Sequence, residues 1–235
     1  MKTSSDWVSH FSHNLTLKRV DWTIAPQITA TEEKKILRSL QAWQLGETSD
    51  GSHLIKATEK YTKRINDPDY LIAVKLFIKE EQKHGNNLGR YLDLIHRPRL
   101  KKDWGDSLFR KVRYYNTNME IWTVAVIVVE SAAEIFYKAI KDATNCTLLK
   151  QICIDILKDE AWHIQFQRDR LFILFKHKPD IMKAITRVIY YGFFYLTILI
   201  VWLGHKRAFN AGGFSFIKYF NTIKLKFKRI MQYLA

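Results

Sequence analysis

The chain is short of the features that announce the commoner redox chemistries. It has two cysteines in 235 residues, Cys146 and Cys153, seven positions apart. That spacing excludes a CxxC motif, so both read as small core residues in a reducing, cytoplasmic setting. The opening stretch, MKTSSDWVSHFSHN, has one lysine and no apolar run, which does not fit a secretory leader. Heme and flavin motifs are missing too. Any reactive centre has to be assembled from the chain's own side chains.

What is present is a repeated Glu-x-x-His element: Glu81 with His84 in KEEQKHGN, and Glu160 with His163 in KDEAWHIQ. Each lies in a strongly helical stretch. Residues three apart share a helix face, so each pair aims a carboxylate and an imidazole at one spot. Two such half-sites suit a four-helix bundle in which two helices each supply Glu-x-x-His and two others each supply one Glu. Glutamates for the other two helices exist. Glu47 lies upstream of the first pair in WQLGETSDG, and Glu130 upstream of the second in AVIVVESAAEIFY.

A metal centre needs its ligands at one depth in the bundle. The chain breaks at Asn66-Asp67-Pro68 and again at Thr144-Asn145. At ~1.5 Å per residue, Glu47 lies roughly 28 Å before the first turn, and Glu81 to His84 roughly 20 to 25 Å after it. Glu130 lies about 21 Å before the second turn and Glu160 about 24 Å beyond it. Glu134 would sit about 6 Å nearer that turn than Glu130 does. Glu130 is therefore assigned, with Glu134 in reserve. The bland alternative for all of these is a solvated helix face. Against it, two of the ten glutamates have a histidine three positions on, and both fall in the second members of successive helical hairpins. Glu130 also follows the apolar run Ile121 to Val129, where a charge faces the core and needs a partner.

On these motifs the chain resembles the ferritin-like diiron carboxylate superfamily, which includes ferritins, rubrerythrins and several oxygen-activating oxidases and oxygenases. The match covers roughly residues 30 to 176. The resemblance implies an all-α, ferritin-like four-helix bundle over 30–177; outside it the chain reads as an N-terminal arm over 1–29 and a C-terminal hydrophobic and basic helical appendage over 178–235. It implies two iron ions, or manganese or a mixed Fe/Mn pair, held by Glu47, Glu81, His84, Glu130, Glu160 and His163. Asp159, and Glu80 in the matching place, would each hold the free ring N–H of the histidine on the opposite hairpin and fix its tautomer. For both, the plain alternative is a surface acid beside a motif.

Helix signals give the layout. The first helix is predicted to start at Thr31 as cap, with Glu32 and Glu33 in its first turn, and to run to Asn66. Gly46 and Gly51 flank Glu47, reading as room beside the metal, close helix contact or a bend. Asp67-Pro68 opens the second helix, which ends near Ile95. Helices two and three of such a bundle run parallel and need a long crossover. Residues 96 to 117 supply it, with Pro98, Trp104-Gly105, the Asn116-Thr117-Asn118 cluster and a short helix from Asp106 to Tyr114. At ~3.3 Å per residue this stretch covers the roughly 35 Å required. The third helix carries Glu130, and the fourth runs from Thr147 to His177. Trp7, Phe11 and Trp22 are candidates to pack the arm on the bundle.

Four carboxylates and two imidazoles form a hard, anionic set that suits Fe or Mn. Their four negative charges offset two divalent cations. Phe77, Leu88, Ile156 and Ile164 share the faces of the two pairs and predict a dry pocket. Tyr137, two turns beyond Glu130, is either a core tyrosine or the partner of a ligand carboxylate, able to bond it or relay an electron. The expected function is an oxygen-dependent oxidoreductase that takes dioxygen, an apolar small molecule and electrons from an external donor. The alternatives are ferroxidase or iron handling, and a membrane-associated helical scaffold with a structural or vestigial metal site.

The tail is distinctive. Residues 188 to 204, VIYYGFFYLTILIVWLG, form an uncharged run of 17, at the short end for a membrane span. From Phe214 onward, apolar residues alternate with Lys218, Lys224, Lys226, Lys228 and Arg229, the pattern of a basic amphipathic helix. From residue 177 to the end there are ten Lys or Arg and one Asp, a net of +9 within a total of +15. Three readings compete. The tail docks or anchors the protein at the inner face of a membrane, or closes the bundle or an oligomer interface, or touches nucleic acid. Interleaved bulky apolars favour lipid or protein over phosphate. The oligomeric state stays open.

Overall fold

The computed structural model of the chain describes residues 1–114 and 118–234, and the described residues form helices with no strand. In chain order they are α1 (Ser4–Asn14), α2 (Ala30–Glu47), α3 (Ser52–Ile65), α4 (Pro68–Leu94), α5 (Trp104–Tyr114), α6 (Met119–Ala143), α7 (Thr147–Lys176), α8 (Asp180–Ala211) and α9 (Phe216–Tyr233). The bundle is made by α2 with α3, α4, α6 and α7, and α5 lies in the crossover between α4 and α6. Its apolar stripes close on a core that includes Ile36, Leu88, Ile127, Phe136 and Ile156.

Two expectations about the first helix are corrected. Its cap is Thr29, not Thr31: the Thr29 hydroxyl accepts from the Glu32 amide while the Glu32 carboxylate reaches back to the Thr29 amide. That reciprocal box needs an acid three positions after the cap, and only Thr29 has one. Nor is the helix continuous to Asn66. It stops at Glu47, and the chain turns before α3 with Gly51 at φ +64°. A Cβ on Gly51 would meet the Ile78 side chain at 2.5 Å, so the bend and the close approach to α4 both need glycine here. The crossover helix starts two residues earlier than expected, at Trp104. The break expected at Asn116 and Thr117 lies outside the described residues.

The N-terminal segment, which shows no sustained period in sequence, contains α1. Its Trp7 and Phe11 are buried with Phe77 and Phe166 in a second apolar cluster. The C-terminal segment is not a free appendage. Tyr190, Phe194, Ile198 and Val201 on α8, with Tyr219, Ile223 and Phe227 on α9, share the main core. The Phe194 and Phe227 rings stack at 4.2 Å. Helix α8 lies against α6 and α2, and α9 against α6, so the inner side of the tail closes the bundle.

Asp67 ties three elements. Its carboxylate caps α4 at the Tyr70 amide and accepts from Ser4 at 2.7 Å and Arg170 at 3.0 Å. Burial pushes its pKa up, but the Ser4 hydroxyl and the Arg170 guanidinium outweigh this and hold it low. A depressed carboxylate stabilises the fold above its unfolded pKa and loses that effect as pH falls through the folded value. Asp67→Asn, which keeps a capping side chain, is expected to cost about 1–3 kcal/mol at neutral pH. Urea unfolding across pH should show the gap between wild type and variant closing below about pH 4.

Candidate metal centre

The six side chains come from the four bundle helices at one level. Glu47 is the last residue of α2, Glu81 and His84 lie mid-α4, Glu130 mid-α6, and Glu160 and His163 mid-α7. One ligand atom from each of Glu81, Glu130, Glu160 and His163 falls within a 4.8 Å group, and Glu47, Glu81 and His84 form another. Glu81 belongs to both groups and so sits where a bridging carboxylate would. The cluster is able to bind two metal ions. His163 Nδ1 and Glu81 Oε1 face each other at 2.9 Å, while His84 Nδ1 and both Glu160 oxygens are buried with no hydrogen-bond partner. Buried polar atoms are rarely left so. Cations among them would satisfy these three, and the oxygen-rich set with two imidazoles fits Fe or Mn.

A layer of acids holds the imidazoles from behind. His84 Nε2 lies 3.0 Å from Asp159 Oδ2 and His163 Nε2 lies 2.7 Å from Glu80 Oε2, each across to the opposite hairpin. Both histidines therefore donate outward through Nε2 and offer Nδ1 to the centre. Tyr137 donates its hydroxyl to Glu47 Oε1 at 2.6 Å. Glu134 points elsewhere: it pairs with Lys226 of α9 and takes no place in the cluster.

The sequence reading missed how the arm completes this layer. The Asn14 amide donates to Glu80 Oε1 at 2.5 Å and to Asp159 Oδ1 at 2.8 Å, joining the two acids that hold the two histidines. Arg19 donates to Asp159 at 2.6 Å and to Asp155 at 2.8 Å, and Lys83 lies 3.3 Å from both acids. No local spacing marks Asn14 or Arg19, since each acts across more than 60 residues of chain.

Without cations the centre is electrostatically frustrated. Burial, reinforced by the negative charges of Glu81 and Glu160, pushes the Glu47 and Glu130 pKa values far above the usual carboxylate range. Desolvation also acts on the partly buried Glu81, yet the neighbouring His163 holds its pKa low. Burial opposes charging of His84 and His163, but the surrounding carboxylates win and raise both. Burial and the adjacent Glu47 keep Tyr137 a phenol.

The carboxylates Glu47, Glu81 and Glu130 form part of the wall of a cavity of about 440 Å³. The rest of its lining is mostly apolar, including Trp43, Phe77, Val129, Ala133, Phe193 and Ile200. Gly46 lines it too, with nothing within 4 Å of where its Cβ would be. Of the three expectations for this glycine, room beside the centre fits its position.

No protein-family profile and no curated relative matches the chain. Solved structures do. An R2-like ligand-binding oxidase with aerobically reconstituted Mn/Fe cofactor is 14% identical over 99% of this chain and 92% of its own, with a TM-score of 0.66. The same kind of oxidase without metal cofactor is 15% identical over 100% of this chain and 97% of its own, with a TM-score of 0.65. A point variant with Mn/Fe cofactor gives 13% identity over 100% and 94%, with a TM-score of 0.68. Likeness at such identities is a likeness of fold, and this chain shares the all-α, ferritin-like bundle fold of those oxidases.

Two outcomes follow from the charge and the arm. Glu130→Gln removes one of the mutually repelling carboxylates, so it should raise the melting temperature of the metal-free protein by about 2–4 °C, the shift ~1 kcal/mol gives a chain this size, while lowering metal occupancy. Calorimetry and elemental analysis check the pair. Asn14→Ala leaves all six side chains in place, yet is expected to weaken metal binding about 10–100-fold, read by competition with a chelator.

Proposed function

We propose that the protein is an oxygen-dependent oxidoreductase that holds two iron ions, or one manganese and one iron, and acts on an apolar small molecule bound in the adjoining cavity. The observation that carries this reading is the junction of unpartnered buried ligand atoms with a mostly apolar cavity. The structural neighbours named above are, by description, ligand-binding oxidases with Mn/Fe cofactor, which agrees with it.

Glu47, Glu81 and His84 would hold one ion, and Glu130, Glu160 and His163 the other, with Glu81 shared. With two reduced ions bound, this donor set would supply electrons to dioxygen. The chain's own residues do the rest. Asp159 and Glu80 keep each Nδ1 lone pair aimed inward, and Tyr137 holds Glu47 against the cavity side. Phe77, whose ring lies 4.8 Å from His163, helps exclude water. Further along the cavity, burial lowers the His205 pKa to about 4 and keeps the ring neutral. Its Nδ1 is buried without a partner, so it is available to orient one polar group of an otherwise apolar ligand. Each turnover would draw electrons from an external donor. Two free buried thiols, Cys146 and Cys153, fit a reducing, cytoplasmic setting.

Iron handling alone would not call for an apolar cavity against the carboxylates, and a mere scaffold would gain nothing from burying like charges together. Loading with Fe(II), or with Mn(II) and Fe(II), should give two ions per chain, and Glu160→Ala should lose them. Gly46→Phe fills the cavity beside Glu47. It is expected to keep the metals while losing apolar-ligand-dependent oxygen consumption, followed with an oxygen electrode. Unchanged ligand-dependent uptake in that variant would remove the substrate from the cavity. A purified protein without Fe or Mn, indifferent to Glu160→Ala, would leave the scaffold.

A further inference from the structure

The outer side of α8 has no partner among the described residues. Ile181, Ile185, Val188, Ile189, Leu196 and Leu203 are each more than half exposed, with Val188 at 73%. They recur at helical spacing along one face, and the stripe from Ile181 to Leu203 is roughly 33 Å long. An exposed apolar strip on this scale marks an interaction surface rather than ordinary scatter. The stripe carries no charged residue between Arg187 and Lys206.

Its flank is basic. Helix α9 runs beside it, with Phe220 stacked on Tyr195 and Phe227 against Tyr191. On the edge nearest those rings, Lys224 lies 5.9 Å from the Phe220 ring, and Lys228 is one turn further on. Lys218 and Arg229 are exposed on the same helix, and Ile217 stands out among them at 70% exposure. The one acid on either helix is Asp180, at the far end of α8.

We infer that the α8 stripe and the lysines of α9 dock the protein on an anionic lipid surface, with α8 lying flat in the interface. Helix α8 does not cross the bilayer, because its other side is packed on α6 and α2. A second copy is the poorer occupant. A two-fold pairing sets a patch against itself, so the lysines of one copy would meet those of the other with no acid to offset them. Lipid phosphates meet the same lysines favourably, and apolar side chains enter the acyl boundary.

The docking face adjoins the cavity. Phe193 and Ile200, which line the cavity, are each one helical turn from exposed Ile189 or Leu196, and Gly204, also in its lining, directly follows exposed Leu203. An apolar ligand partitioned into the lipid would therefore enter beside the surface that holds the protein. This access route rests on the oxidoreductase reading, whereas the docking itself does not.

Flotation of the full chain with sealed vesicles tests the docking in metal-free and metal-loaded protein alike. Binding is expected to vesicles containing phosphatidylglycerol, and to fall steeply on pure phosphatidylcholine and at high salt. Lys224→Glu with Lys228→Glu should lower binding by about fivefold or more for each lysine. Val188→Asp with Leu196→Asp, both on the exposed stripe, should abolish it while the melting curve stays as in wild type. Equal binding to neutral vesicles, or binding untouched by the α8 pair, would overturn the inference. So would a dimer in sedimentation that the α8 pair dissociates in a protein that ignores vesicles. Docking without oxygen uptake would count against the proposed function and leave the surface standing.

Discussion

The mutual repulsion of buried carboxylates is the constraint around which this molecule is organised. Glu47, Glu81, Glu130 and Glu160 are brought together where water is scarce. Like charges at such range in a low-dielectric interior cost several kcal/mol unless protons or cations intervene. The four rods and their apolar stripes supply the opposing free energy. The fold therefore holds its ligands in place ahead of the ions, and the unpartnered atoms among them are the residue of that arrangement.

Rigidity at the centre is reinforced through a polar relay that spans the whole bundle. Each histidine is held by an acid from the opposite hairpin, and one amide from the N-terminal arm bridges those two acids. Arg19 and Lys83 then balance the charge of Asp155 and Asp159. Networks of this kind hold geometry well when every member is satisfied. The arm thus belongs to the centre as much as to the packing around Trp7 and Phe11.

What could be seen in the sequence, and what could not, divides along the range of the interaction. The Glu-x-x-His pairs are legible because three-residue spacing is a local geometric rule, and the depth of Glu47 and Glu130 follows from helix rise. The acids ahead of each pair share that legibility through their fixed offset. Asn14 and Arg19 are invisible for the opposite reason: they are single polar residues in an aperiodic stretch, acting on partners far along the chain. The end of α2 at Glu47 escaped because glycines near a helical pattern can be tolerated as well as terminal. The tail composition pointed to an apolar helix and a basic one, but one face of each joins the core, and periodicity cannot say which neighbour a face will meet.

The stop of α2 at Glu47 gives the centre an asymmetric mechanical character. Five of its six side chains stand mid-rod, braced by helical turns above and below. Glu47 stands at a terminus, where backbone carbonyls lack intrahelical donors and end turns open at less cost than interiors. The terminal dipole there disfavours a carboxylate, and the Tyr137 hydroxyl and the neighbouring Glu81 carboxyl hold it in place. Glu47 is thus the corner of the cage with the least helical bracing, and it is one of the three carboxylates that face the cavity.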